Sequence, residues 1–164
     1  MLLTKNFTLQ EMEFSATATR LQIPNRADKK IIENLYFLCK DVLQPLRNAI
    51  GKPIKITSGY RSSELNQVIN NGSKRISDHM HGFAADIQLI YDNEVKNDIL
   101  FNTILDLDLP FKQMIWEFGD RFPHGSPAWI HISHSRKNVK KQILEAFKDN
   151  GKTYYKIIKK DISL

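Results

Sequence analysis

Two stretches of the chain carry side chains that bind ions and move protons. The first is Ser77-Asp78-His79-Met80-His81-Gly82-Phe83-Ala84-Ala85-Asp86-Ile87. Asp86 stands seven positions after His79 and opens an apolar run, and Gly82 permits a tight turn between the two. A histidine on a loop and an aspartate on the strand leaving that loop can converge on one ion. The second stretch is Trp129-Ile130-His131-Ile132-Ser133. It alternates as a strand does, so Trp129, His131 and Ser133 share one face. Two histidines and a carboxylate hold a metal and leave a fourth position for water, which is what a catalytic zinc centre needs. Spacing alone leaves the alternative open: two surface histidines and a strand-end aspartate fit it as well.

The elements that must position these residues are legible from periodicity and punctuation. Thr8-Leu9-Gln10-Glu11 has the form of a capping box at the start of a short helix. Ile31, Leu35, Leu38, Val42, Leu46 and Ile50 recur at helical spacing. They predict one amphipathic helix from Asp28 to Ile50, or two joined at Pro45, with Gly51 as the stop. Cys39 falls within it and reads as an inert buried thiol. Residues 53–58 alternate as a strand, and Ser62 to Asn71 reads as a helix ending at Gly72. Ala84 to Ile90 predicts a strand, Asp92 to Leu107 a helix, and Gln113 to Phe118 and Ala128 to Ser133 two further strands. Gln142–Lys148 and Lys152–Ile158 flank Asp149-Asn150-Gly151, a strong hairpin signal. Helices first and strands later predict an α+β fold: helices packed on a mostly antiparallel sheet.

Composition narrows the class. A chain of 164 residues, 41% hydrophobic, suits one domain spanning 1–164 with a core of its own. No apolar run is long enough to span a bilayer, so no transmembrane segment is expected. Met1 to Asn6 shows no apolar core of a Sec-type leader. The single cysteine excludes a disulfide framework and a zinc ribbon, so any metal must be held by His, Asp or Glu. The net charge of +6 resides entirely in residues 135–164, where nine Lys/Arg face Glu145, Asp149 and Asp161. A basic end on a neutral body suits attraction to a polyanion, such as a cell wall, a membrane surface or nucleic acid, or simply a solvated face.

The motifs occur in a telling order. Thr57-Ser58-Gly59-Tyr60-Arg61-Ser62, then Ser77-x-His79-x-x-Gly82-x-Ala84-x-Asp86, then Trp129-x-His131-x-Ser133 together resemble the zinc D-alanyl-D-alanine peptidases. That family includes wall-trimming carboxypeptidases, vancomycin-resistance dipeptidases and phage endolysins. The resemblance is strongest over residues 53–134. It implies a hedgehog/D-Ala-D-Ala peptidase-like fold, with Zn2+ held by His79, Asp86 and His131 on the sheet face. It also implies that Arg61 binds the oxyanion or a substrate carboxylate, and that Tyr60 and Ser77 orient ligands or substrate. One position departs from the pattern. Many members carry the catalytic carboxylate three residues before the last histidine, where this chain has Ala128. Glu117, on the preceding strand, can face the metal if the two strands form a hairpin. It is assigned as the general base, with Asp120 and His124 in reserve.

The expected function is zinc-dependent hydrolysis of peptidoglycan stem peptides by an endolysin-like enzyme, with bacterial peptidoglycan as partner. A catalytically silent wall-binding or virion module of the same fold is the alternative. The motifs do not decide between D-Ala-D-Ala carboxypeptidase, L-Ala-D-Glu endopeptidase and cross-link endopeptidase. No nucleic-acid motif accompanies the basic end, so no nucleic acid is expected, and a monomer is. The missing leader fits a phage enzyme freed at lysis or carried on the virion. The basic hairpin is expected to favour wall association rather than to take part in catalysis. His81, His124 and His134 are expected at the surface.

Overall fold

The computed structural model describes residues 1–158. Lys159 and Lys160, counted above in the basic segment, lie outside them. Thr8 opens helix α1 (Leu9–Glu13) as the capping box requires: its side chain accepts from the Glu11 N–H, and the Glu11 carboxylate accepts from the Thr8 N–H. Ser15 caps α2 (Ala16–Leu21) in the simpler way. The long apolar periodicity becomes α3 (Lys29–Leu38), a π-helical turn (Cys39–Leu43) and α4 (Gln44–Ile50), which stops at a left-handed Gly51. The helical segments join just before Pro45, which falls in the first turn of α4 directly after this wider turn. Proline lacks an N–H and crowds the carbonyl one turn back; the wider turn absorbs both effects and the helix runs on. Cys39 is fully buried, and desolvation, aided by the charge of Glu11, pushes its thiol up to about 12, so it is inert.

Six strands form the main sheet: β1 (Lys55–Ser58), β2 (Ala84–Gln88), β5 (Gln113–Glu117), β6 (Trp129–Ser133), β7 (Gln142–Asp149) and β8 (Lys152–Ile157), in the spatial order β1-β2-β6-β5-β7-β8. Every pairing is antiparallel except β5 with β7. The alternation predicted for these strands sorts their side chains. Ala85, Ile87, Met114, Trp116, Ile130 and Ile132 point to one face and pack with Leu35, Leu38, Leu46 and Phe101 of the helices. Phe101 belongs to α6 (Asn97–Asp106), which follows α5 (Ser63–Ile69), the helix expected after Ser62. Asp86, Glu117 and His131 alternate with these and point to the other face. The sheet is thus a partition, with the core on one side and the polar groups on the other.

Between β2 and α6 the structure corrects the sequence reading. The predicted strand stops at Gln88, and the predicted helix does not begin until Asn97. In between, β3 (Ile90–Tyr91) and β4 (Glu94–Val95) form a small hairpin around Asp92 and Asn93, both at positive φ. Asp and Asn tolerate that conformation better than other non-glycine residues, and the tight turn outcompetes a first helical turn. Asn97 is fully buried and ties the pieces together. Its side chain accepts from the Leu89 N–H and donates to the carbonyls of Pro127 and Ala128, fixing the entry to β6.

Candidate metal centre and active-site cleft

Asp86 and His131 are directly opposed on β2 and β6. His79 comes from a short 3-10 turn (Asp78–His81), and its own N–H is capped by the Ser77 hydroxyl. Three atoms converge: His79 Nε2 lies 3.3 Å from His131 Nδ1 and 3.3 Å from Asp86 Oδ1, and His131 Nδ1 lies 2.9 Å from Asp86 Oδ1. Ligands about 2.0–2.2 Å from a tetrahedral zinc stand roughly 3.3–3.5 Å from one another. The cluster therefore fits such an ion with little adjustment. All three residues are buried, each 9% exposed or less.

The surroundings fix how each ligand is aimed. His79 Nδ1 donates to the Gly59 carbonyl at 2.6 Å, so Nε2 presents its lone pair to the cluster. Gly59 must be glycine, because a Cβ there would run into the backbone carbonyl of Met12. Gly82 ends the 3-10 turn at φ 70°, and a Cβ would meet the Ile31 carbonyl at 2.7 Å. Asp86 offers Oδ1 to the cluster, while Oδ2 accepts from Arg61 Nη2 at 2.8 Å. Arg61 Nε in turn donates to Ser58 Oγ, which an irregularity in β1 sets opposite Asp86. The turn bearing Gly59 and Arg61 is held by Asn25, a buried residue without a sequence signature. Asn25 donates to the carbonyls of Glu13 and Tyr60 and accepts from the Ser62 N–H.

Charge follows the same plan. Burial drives the His79 pKa down, outweighing the pull of Asp86, so the ring is neutral and able to ligate. Burial would raise the Asp86 pKa, but the two histidines overcome it and keep the carboxyl well below the usual range. Burial would lower His131 as well, and its bond to Asp86 reverses the sign. In the metal-free chain the proton of the His131 Nδ1–Asp86 Oδ1 hydrogen bond, 2.9 Å long, lies between two of the three ligand atoms. A cation supplies the same positive charge and displaces that proton on binding.

The cluster opens into a cleft of about 860 Å³ lined also by Arg61, Ser77 and Glu117. Glu117 pairs with Trp129 across the β5–β6 ladder, while His131 pairs with Ile115, so Glu117 sits one diagonal step from the ligand on the same face. Desolvation first, then the charge of Asp86, raises its carboxyl to about 7, against the opposing effects of His131, Arg61 and Trp129. The buried Trp129 indole N–H is the donor behind that last effect, close to the Glu117 carboxyl but short of hydrogen-bond geometry. Asp120 and His124 are not brought to the cleft: Asp120 caps the Ser126 N–H within its own loop, and His124 is exposed. The Tyr60 side chain belongs to the core, and what that residue gives the site is backbone, with its N–H on the Met12 carbonyl.

Two further positions differ from expectation. His134 is not at the surface. It is 3% exposed, with one ring nitrogen on the Pro110 carbonyl and the other 3.1 Å from Asp41. The hairpin of β7 and β8 does more than display charge, since Leu144, Thr153 and Tyr155 wall the cleft. Nor, among the described residues, do the basic side chains make one patch. Arg136 lies over the Phe37 ring, Lys141 bonds Asp108, and Lys148 and Lys152 stand at the far end of β7.

No curated protein matches the chain. The family model Peptidase M15 matches residues 5–104, a stretch that contains Arg61, Ser77, His79 and Asp86. His131 and Glu117 lie beyond the matched residues and join the site through strand pairing. M15 peptidases are zinc enzymes, and the buried His79, Asp86 and His131 cluster is one that could bind the metal. By its sequence the chain belongs to the peptidase M15 family, metallopeptidases of the zinc D-Ala-D-Ala carboxypeptidase type.

Proposed function

We propose that the protein hydrolyses peptide bonds in peptidoglycan stem peptides as an endolysin-like lytic enzyme. The metal ligands are His79, Asp86 and His131, and Glu117 is the general base. The observation that carries the reading is the convergence of three buried ligand atoms at 2.9–3.3 Å beside a carboxyl raised to about 7. His79, Asp86 and His131 would hold zinc, which would supply Lewis-acid activation of the attacking water and of the scissile carbonyl. Glu117 takes the proton of the attacking water and delivers it to the leaving amine. Arg61 holds Asp86 through Nη2 and has further N–H donors for the oxyanion that develops at the scissile carbon. Ser77 keeps the His79 turn in place through its bond from the His79 N–H.

Digestion of purified peptidoglycan, followed by mass spectrometry of the released fragments, tests this reading. The zinc-loaded protein is expected to release peptide fragments and the chelated protein none. The masses assign the bond as carboxypeptidase or endopeptidase. Binding to sacculi without any release would instead identify a silent wall-binding module.

A further inference from the structure

We propose that Arg75 and Tyr155 form a carboxylate-binding subsite in the cleft, which positions an acidic group of the substrate; this rests on the peptidase reading above. The strand registers make the first part of the case. Glu117 is opposed by Ala146 on β7, and Ala146 by Tyr155 on β8. Glu117, Ala146 and Tyr155 therefore form one row across the sheet on one face. Tyr155 stands two strand spacings from Glu117, about 9–10 Å. Between them is only the methyl group of Ala146, so a groove runs over it. Thr153, two residues before Tyr155, lines the same cleft, as strand alternation requires.

The cations of the cleft make the second part. Arg61 is paired with Asp86, its remaining donors being assigned to the oxyanion, and Lys112 holds both oxygens of Asp78 at 2.7 Å. Arg75 also lines the cleft, and among the described residues its guanidinium makes no ion pair. Its backbone is nonetheless anchored, because Asn66, 1% exposed, donates to the Arg75 carbonyl at 2.9 Å. The Tyr155 hydroxyl lies within the field of both jaws. Burial raises its pKa first, the charges of Glu117 and Asp86 add to that, and Arg75 opposes. A guanidinium fork and a phenolic O–H that line one cleft are a donor set for a carboxylate, which can take two bonds from the first and one from the second.

The test uses the zinc-loaded full chain and a soluble peptidoglycan stem peptide, compared with the same peptide amidated at one free carboxylate at a time. For the wild type, one of these amidations is expected to raise KM about tenfold with kcat little changed, the effect of one charge-assisted contact. Arg75→Gln is expected to raise KM for the parent peptide to the amidated value and to abolish the discrimination. Tyr155→Phe is expected to raise KM about threefold, the loss of one neutral hydrogen bond. The proposal is overturned if no single amidation changes KM, if Arg75→Gln keeps the discrimination, or if the variants lose kcat and not KM. Calorimetric binding of the same peptides to zinc-loaded Glu117→Gln separates this from the peptidase reading. If the wild type cleaves nothing but this variant binds with the same discrimination, the peptidase reading fails and the subsite stands.

Discussion

The two walls of the cleft are built differently. On the ligand side the key side chains have several partners each: His79 has Gly59 and the Ser77 cap, Asp86 has Arg61 and both histidines, and Arg61 has Ser58 and Asp86. On the far side β8 is the sheet's edge, and all six of its residues are exposed. The contrast follows from what each wall must do. A metal demands ligand positions fixed to a fraction of an ångström, and only buried, redundantly bonded side chains supply that. A substrate arrives and leaves, and an exposed strand edge can contact it without being part of the core. The ligand wall should therefore answer substitution with loss of metal and fold, and the edge wall with changes in binding alone.

The largest effect is expected at Asp86. Asp86→Ala removes a ligand and leaves Arg61, only 15% exposed at its side chain, without its partner. Breaking a buried pair on one side costs about 3–5 kcal/mol. The variant should lose zinc, activity and thermal stability together. Metal analysis and a melting curve check this, and retention of one zinc per chain would remove Asp86 from the ligand set.

Glu117→Gln is expected to keep zinc and lose at least about 10²-fold in turnover, the usual contribution of a positioned base. It carries a second signature in the metal-free protein. The folded-state pKa of Glu117 is raised from 4.5 to about 7, so the folded chain holds this proton when the unfolded chain has released it. Wild-type stability then falls as pH rises from about 4.5 through about 7, and the loss is complete above that. Relative to wild type, metal-free Glu117→Gln should be more stable at pH 8 by about 1–3 kcal/mol and equal at pH 4. Bound zinc adds positive charge and should shrink the difference. Denaturant titrations at the two pH values decide it; equal stabilities at both would show that the carboxyl is not desolvated.

Gly59 probes the layer behind the ligands. A methyl group at this position displaces the carbonyl that orients His79 without touching any ligand directly. Gly59→Ala is expected to weaken zinc binding by about 10–100-fold, the usual cost of losing an outer partner. A competition titration with a chelator reads this, and unchanged affinity would mean that the Gly59 bond is dispensable.

What the sequence discloses follows the same division. The ligand side is written locally: a capped turn, a glycine and an alternating strand put His79, Asp86 and His131 on a recognisable pattern, and alternation already sends Asp86 and His131 out of the core. The helix caps and the Asn150-Gly151 hairpin are likewise local. The anchors are not. Asn25 acts on a turn 35 residues away along the chain, and nothing around Pro24-Asn25-Arg26 signals burial. The π turn compensates a proline, and no periodicity marks it. The parallel pairing of β5 with β7 is a long-range register, and without it Tyr155 cannot be placed beside Glu117. The burial of His134 is hidden for the same reason, because its partners Asp41 and Pro110 come from distant segments.

The smallest effect is expected from the hairpin lysines, and it sharpens the contrast within a single strand. Lys152 and Lys156 alternate with Thr153 and Tyr155, so they occupy the face of β8 turned from the cleft. Lys156 is opposed by Glu145, whose carboxylate is already held by Arg121, so part of its charge is compensated within the sheet. Exposed single charges contribute about 0.2–1 kcal/mol each, and their reach shortens to about 8 Å at physiological ionic strength. Replacing Lys152 and Lys156 together with Gln should weaken association with wall sacculi only a few-fold, about two- to fivefold at low salt, and not measurably at high salt. The KM for a soluble stem peptide should not move, in contrast to Tyr155→Phe on the same strand. Sedimentation with sacculi at two salt concentrations, beside steady-state kinetics on the soluble peptide, separates the faces. Equal losses on both substrates would mean that these lysines support the cleft, and that β8 acts as one unit rather than as two faces with different work.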